Sequence, residues 1–429
     1  MIQTIRKAWG VPELRKKITF TILILLIFRF GNAIPVPYVD TALLAQYLDG
    51  MSTTVFGLYN MMSGGAFAEA TLFALGVQPY INSSIIIQLL TIAIPALERL
   101  QKEGGEEGRK KIASITRYAT VAIALLQGFG YYMIMKRYNL LGVESPTVWH
   151  ALVIIISFVA GSAFVMWIGE QINEFGIGNG ISIILFAGII SRIPSGFNTL
   201  LTMGRDENAG WLMSILLAVG ILLLVVLIVF VNDAERRIPV QYAKRQVGRR
   251  MYGGQSTNLP MKVSMSGVLP IIFAQSIASL PATIAAFCPQ PAEGTFWYGF
   301  LNAIDTKSVL YMIVYFLMII GFSYFYATIQ FNPVEISNNL RKNGGFIPGF
   351  RPGKPTTDFI TKVLNKITLF GAIYLGIVAI APLIVSKFSS DYNIAIGGTS
   401  VIIVVGVALE TVKALENQML MRQYKGFLE

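Results

Sequence analysis

Uncharged polar residues set into apolar runs are the groups in this chain best placed to do chemistry. In TLFALGVQPYINSSIIIQLL (Thr71 to Leu90), Ile81, Ser84, Ile85 and Gln88 fall at i, i+3, i+4 and i+7 and share one helix face. Asn82 and Ser83 lie beside them. A later apolar run repeats the spacing with Ile272, Gln275, Ser276 and Ser279. A lipid-facing helix has little use for so many amides and hydroxyls, which leaves two readings open. Such stripes bond one membrane helix to another, or they face each other across a seam that opens. Groups of this kind meet water readily and close without stranding a charge. A ring of bulky aliphatic residues at mid-depth would seal by dewetting and impose no ion selectivity. That combination suits the passage of something large and chemically varied.

The residues for other chemistries are missing or badly placed. Glu410, near the inner end of the last apolar run, is the acidic residue within or beside those runs, and Arg29 and Arg192 sit near outer ends. Ion-coupled transporters and proton pumps normally place Asp, Glu or His at mid-membrane. An intramembrane hydrolase needs paired Asp, a Ser/His pair or metal ligands. Cys288 and His150 are the one cysteine and the one histidine. They allow no intrachain disulfide, zinc site or Cys/His pair, and read as a packing residue and a loop residue. Gly176-Ile-Gly-Asn-Gly180 lacks the spacing and preceding strand of a nucleotide loop, and Gly349 to Thr356 puts Pro355 where a phosphate loop needs Ser or Thr. No cofactor is expected.

The elements that position these residues are membrane helices. Of 429 residues, 54% are hydrophobic and 13% charged, with a mean hydropathy of +0.61, too apolar for a soluble domain of this size. Ten apolar segments can be read, at about 18–36, 76–96, 115–135, 149–169, 181–201, 211–231, 266–288, 308–329, 367–386 and 397–415. The basic N-terminus before the first of them is followed by no small-residue cleavage site, so that segment is expected to stay as a span. With both termini cytoplasmic, inner loops hold 27 of the 34 Lys and Arg residues and outer loops hold six, Arg29 being the last. The reverse orientation would violate the positive-inside rule. The net charge of +11 is therefore first a topology signal.

Two inner loops exceed what topology requires. Residues 232–265 carry seven basic side chains, and residues 330–366 carry six. Loops this long are usually functional or disordered. Arg249 and Arg250 lie mid-loop, where a hairpin-like projection would have its tip, among Val240, Tyr242, Val247 and Tyr252. Such a surface could dock a polyanion such as ribosomal RNA by neutralising phosphates. Upstream of the first stripe, FGLYNMMSGGAF (Phe56 to Phe67) is apolar but too short and glycine-rich to span. A half-helix at membrane depth leading into a span usually lines a cavity.

Five stretches carry a resemblance that covers nearly the whole chain. They are RFGNAIPVP (Arg29 to Pro37), SGGAFAEATLFALGVQPYINSSIIIQLL (Ser63 to Leu90), MWIGEQINEFGIGNGISII (Met166 to Ile184), ERRIPVQYAKRQVGRRMYGGQSTNLPMKV (Glu235 to Val263) and PVEISNNLRKNGGFIPGFRPGKPT (Pro333 to Thr356). In this order and spacing the chain resembles the SecY family, channel subunits of the bacterial protein-conducting translocon. The resemblance implies an all-α integral membrane protein with ten transmembrane helices in two pseudo-symmetric five-helix halves, 1–205 and 206–429, closing as a clamshell around an hourglass pore. It implies a pore ring of Ile81, Ile85, Ile181, Leu185, Ile272 and Ile402 or Ile403, Leu185 standing where isoleucine is common. It implies a plug within 56–67, including Phe56, Tyr59, Asn60, Met61, Met62, Ser63, Gly64 and Gly65. A lateral gate is expected between spans two and seven, at Asn82, Ser84, Gln88, Gln275, Ser276 and Ser279. Arg237, Lys244, Arg249, Arg250 and Arg351 match positions that engage SecA or the ribosome. SecE, SecG, SecA, the ribosome, signal-bearing polypeptides and lipids are the implied partners, in the bacterial cytoplasmic membrane. Against this passive, gated polypeptide channel, an inverted-repeat secondary transporter lacks its mid-membrane carboxylate, and a membrane-embedded enzyme lacks any acid/base set.

Overall fold

The computed structural model describes residues 2–49, 55–205, 210–242, 245–247, 250–252, 256–263, 267–287, 299, 308–388 and 398–425. Cys288, Lys244 and Arg249 lie outside the described residues. Among them the first half of the chain forms α1 (Ile2–Trp9), α2 (Pro12–Gly31), α3 (Thr41–Asp49), α4 (Val55–Met62), α5 (Gln78–Ala93), α6 (Pro95–Lys102), α7 (Gly105–Arg137), α8 (Val148–Phe175), α9 (Gly180–Ile190) and α10 (Ile193–Arg205). The second half forms α11 (Gly210–Asp233), α12 (Leu269–Phe287), α13 (Val309–Gln330), α14 (Pro333–Lys342), α15 (Lys354–Phe388) and α16 (Gly398–Lys425).

Each of the ten apolar segments carries a helix. Six described helices are long and apolar enough to cross a membrane, and the bent pair of α5 and α6 makes a seventh. Two expected spans are not single rods. The second stops at Ala93, and the chain turns by 105° into α6. Ile94 precedes Pro95 and has extended φ/ψ of −108° and 112°, as a residue before proline prefers. The fifth carries a short turn at Ser191 and Arg192, between α9 and α10, within a stretch Gly180–Thr202 long and apolar enough to cross as one span. The short helix before the first stripe is also shorter than its apolar letters suggest. It ends at Met62, and residues 63–77 run to α5 in turns. Pro79 at the first turn of α5 suits that start, where its missing N–H has no intrahelical partner anyway.

His150 is not a loop residue. It stands at the third position of α8, where its Nδ1 accepts from the Thr147 backbone N–H at 3.1 Å in a capping box. One large buried cluster draws on α2, α5, α8, α9, α11, α12, α13, α15 and α16. A second forms around α3, α7, α8 and the turns after α4.

The two long basic loops fold, and they fold together. In the first, β1 (Glu235–Tyr242), β2 (Arg245–Val247), β3 (Arg250–Tyr252) and β4 (Ser256–Lys262) form; the second contributes β5 (Gly345–Phe346). The order β4–β1–β5 is antiparallel throughout, with Ile238 opposite Leu259 and Gln241 opposite Phe346. Ile238, Val240 and Met261 pack with Leu340, Ile347, Ile360 and Leu364 in a small core of their own. Alternation along β1 puts Ile238 and Val240 inward and their neighbours outward.

Candidate functional site

Four helices bring the expected ring residues together. Ile81 and Ile85 of α5, Leu185 of α9, Ile272 of α12, and Ile402 and Ile403 of α16 belong to one buried cluster, with half-buried Ile181 packed against it. Leu185, Ile272 and Ile403 also border a cavity of about 220 Å³, whose other walls include Asn179, Ser182, Lys262, Gln330 and Glu410. Lys262 ends β4 and Gln330 ends α13, where the two basic loops join the helices, so that wall of the cavity faces the basic loops. Of the span-ten pair, Ile403 is the one that lines it.

The GIGNG stretch has a packing role. Asn179 caps α9 by accepting from the backbone N–H groups of Ile181 and Ser182 at 3.1 and 3.3 Å. A Cβ on Gly180 would stand 2.0 Å from the Gly169 carbonyl oxygen, and one on Gly169 would stand 2.6 Å from Cδ1 of Ile181. Glycine at both positions lets α8 and α9 approach closely enough to set Ile181 and Leu185 in place.

The expected plug packs into the same cluster through Met62. Met61, Met62 and Ser63 are buried. Met61 Sδ accepts from the Ser400 hydroxyl at 2.5 Å, and Met62 Sδ accepts from Gln78 Nε2 at 2.8 Å. Asn32 Nδ2 donates to the Ser63 carbonyl at 3.1 Å, and Arg29 donates to the Gly64 carbonyl at 3.3 Å and to Ser191 Oγ at 3.4 Å. Gly64 has a φ of +71°, and a Cβ there would come within 3.1 Å of Gly188 Cα; one on Gly188 would stand 2.7 Å from the Met62 carbonyl oxygen. Asn60 ties the following turn, accepting at Oδ1 from Ala68 N and at its carbonyl from Gly65 N, while the Tyr59 ring lies 6.1 Å from that of Phe67. Phe56 lies within α4, and its side chain falls outside the described residues.

The two polar stripes lie on helices in contact. α5 packs against α12, and α12 also meets α7 and α13. Asn82, Gln275 and Ser276 are buried; Ser84 and Gln88 are half-buried. Among the described residues, Oε1 of Gln275 has no hydrogen-bond partner. Ser279 is within α12, its side chain outside the described residues. Gln88 reaches beyond span seven, because its Oε1 accepts from the Tyr326 hydroxyl of α13 at 2.7 Å. Tyr326 belongs to a buried face of α13 that also carries the hydroxyls of Tyr311, Tyr315 and Ser323, a pattern by which it could have been singled out from sequence.

Of the expected docking residues, Arg237 lies on β1 and pairs with Glu235 at 2.6 Å, both side chains solvent-accessible. β2 and β3 form a hairpin in which Val247 pairs with Arg250. Arg351 is exposed in the second loop, where its carbonyl accepts from the Thr356 hydroxyl at 2.8 Å.

Comparison with known proteins matches this arrangement. The SecY family model matches residues 71–412. The protein translocase subunit SecY of Streptomyces scabiei is 44% identical over 440 residues, covering all of both chains. That of Halalkalibacterium halodurans is 43% identical over 437 residues, again covering all of both. A solved structure described as that of a protein conducting channel superposes with a TM-score of 0.67 over 97% of each chain at 17% identity. A second, concerned with a SecY plug domain that stabilises the closed channel, gives 0.64 over the same shares, also at 17% identity. The fold is that of these channels: an all-α integral membrane protein that crosses the bilayer several times. The chain belongs to the SecY family.

Proposed function

We propose that the aliphatic cluster of Ile81, Ile85, Ile181, Leu185, Ile272 and Ile403 is the closed constriction of a protein-conducting channel. As a member of the SecY family, the chain is a translocase subunit and not an enzyme: it passes unfolded secretory polypeptides across the membrane and releases membrane helices sideways into it. The observation that carries the reading is the convergence of those residues with Met62 beneath a cavity on the side of the basic loops. Bulky aliphatics from four separate helices exclude water when they touch, and separate without breaking any hydrogen bond. α4 and the turns after it would be the plug, and the packed faces of α5 and α12 the lateral gate, with Asn82, Ser84, Gln88, Gln275, Ser276 and Ser279 along it. The halves 1–205 and 206–429 would open about the connection between α10 and α11.

The location would be the bacterial cytoplasmic membrane with both termini inside, as the distribution of Lys and Arg favours. The sheet formed by the two basic loops gives a folded base for a projecting hairpin. Arg237, Lys244, Arg249, Arg250 and Arg351 would there meet SecA or the ribosome, through its RNA backbone and large-subunit proteins. SecE and SecG would complete the complex, and the driving energy would come from SecA or from translation. A preprotein arrested in transit should crosslink to a photoreactive side chain at Ile85 or Ile272. A saturated, active complex without such crosslinks would remove these residues from the path.

A further inference from the structure

The two sulfurs at the end of α4 reach toward different parts of the chain. Met61 Sδ accepts from the hydroxyl of Ser400 on α16, and Met62 Sδ accepts from Nε2 of Gln78 at the start of α5 at 2.8 Å. Ser400 belongs to the proposed half 206–429 and Gln78 to 1–205, so adjacent residues bridge the line along which the halves would part. Met61, Met62, Ser400 and Gln78 are all buried. Met62 also stands in the aliphatic cluster with Ile81, Ile85 and Leu185. In this arrangement neither thioether faces solvent, and each sulfur has a lone pair engaged.

We propose that Met61 and Met62 form an oxidation site, shielded while the channel is closed and reached by a hydroperoxide once it opens. The inference rests on the reading of α4 as the plug. Neighbouring side chains cannot follow Ser400 and Gln78 in opposite directions, so parting the halves frees at least one sulfur. A polypeptide passing the aliphatic cluster must also displace Met62, which is part of it. The freed thioether attacks the O–O bond of hydrogen peroxide. Its sulfur is oxidised by two electrons and keeps one oxygen as the sulfoxide, and the other oxygen leaves with both protons as water. The product is a polar side chain where a flexible apolar one stood. Reseating it at Met62 sets a strong acceptor beside Gln78 Oε1, an acceptor without a partner among the described residues. It also buries that acceptor among aliphatic side chains. The backbone leaves little room to adjust, since a Cβ on Gly188 would stand 2.7 Å from the Met62 carbonyl oxygen. An oxidised plug therefore reseats poorly, and the channel leaks until the sulfoxide is reduced.

The test uses the complete translocase in proteoliposomes, treated with hydrogen peroxide either idle or while it transports a preprotein. After transport has ended and the peroxide is removed, peptide mass spectrometry reads the oxygen gained at Met61 and Met62, and ion conductance reads the seal. Oxidation of these two residues should be several-fold greater in the transporting sample. Its conductance should stand about tenfold above that of the idle one, the scale of burying one poorly paired polar group. Methionine sulfoxide reductases for both epimers should reverse the rise. The double variant Met61→Leu, Met62→Leu, whatever its own resting leak, should show no further rise with peroxide, which sets aside the remaining methionines. Equal oxidation in idle and transporting samples, or none in either, would overturn the site. So would a peroxide-driven leak that persists in the double variant. Oxidation confined to transport but without any leak keeps the opening-gated site and removes α4 from the seal, so the plug reading fails separately.

Discussion

In the proposed plug and the turns after it, the Ser63 and Gly64 carbonyls accept from Asn32 and Arg29, the Phe67 carbonyl accepts from the Tyr131 hydroxyl, and the Gly76 carbonyl accepts from the Ser162 hydroxyl at 3.3 Å. Along the α5–α12 contact, Gln275 Oε1 is unpartnered among the described residues and the bond from Tyr326 to Gln88 stands near one end. Both regions bury polar atoms between helices, yet the first fixes backbone and the second holds side chains in apolar contact. A backbone carbonyl is present whatever the side chain, so the plug base depends on its donors and on glycine-sized gaps. The seam depends on aliphatic burial, which can be exchanged for burial against another apolar helix. A segment held through its carbonyls resists displacement as a unit. A surface held by apolar contact with a few loosely satisfied amides yields to anything more apolar.

That contrast can be broken most forcefully at Gly188. A side chain there meets the Met62 carbonyl with no room to yield. Gly188→Val should therefore displace α4 at a cost of about 1–3 kcal/mol and raise the resting ion conductance of the reconstituted channel. A conductance equal to wild type would show that the close approach of α9 and α4 has no part in the seal. Next in size is Asn32→Ala, which leaves the buried Ser63 carbonyl without its donor, a loss of roughly 1–3 kcal/mol. The expected leak is smaller than for Gly188→Val, and the mature export rate should stay within about twofold if the plug is displaced during transit anyway. The smallest effect belongs to the seam. Gln275→Leu replaces an amide with an unpartnered oxygen by an apolar group of similar size, which should favour the closed state by about 1 kcal/mol or less. Slower export of weak-signal preproteins, with no change in leak, is the expected pattern. A rise in leak instead would mean that seam and plug are one cooperative unit.

The spans were legible because hydropathy is a local property, and loop charge, equally local, is what favours the proposed orientation. The proposed ring residues came only through the resemblance, since an isoleucine in a membrane helix looks the same whether it faces lipid, a neighbour or a pore. The proline at 95 was visible, but the 105° turn depends on α6 finding a place against α7. The pairing of β1 with β5 joins Gln241 to Phe346, and no periodicity within either loop announces a partner that distant. GIGNG illustrates the same limit: its failure as a nucleotide loop was clear from spacing, while its service to α8 and α9 needed both helices in view.

The sequence by itself determined that this is a membrane protein with helices at ten apolar segments, with its basic residues gathered in a few loops, and with two helices striped by uncharged polar groups. Only the tertiary structure decided what those stripes meet. It buried Gln275 Oε1 without a partner among the described residues, and it gave Gln88 to Tyr326 on α13. The reason is physical: a period of 3.6 residues fixes which side chains share a face, whereas the neighbour that face meets is chosen by the packing of all the helices together.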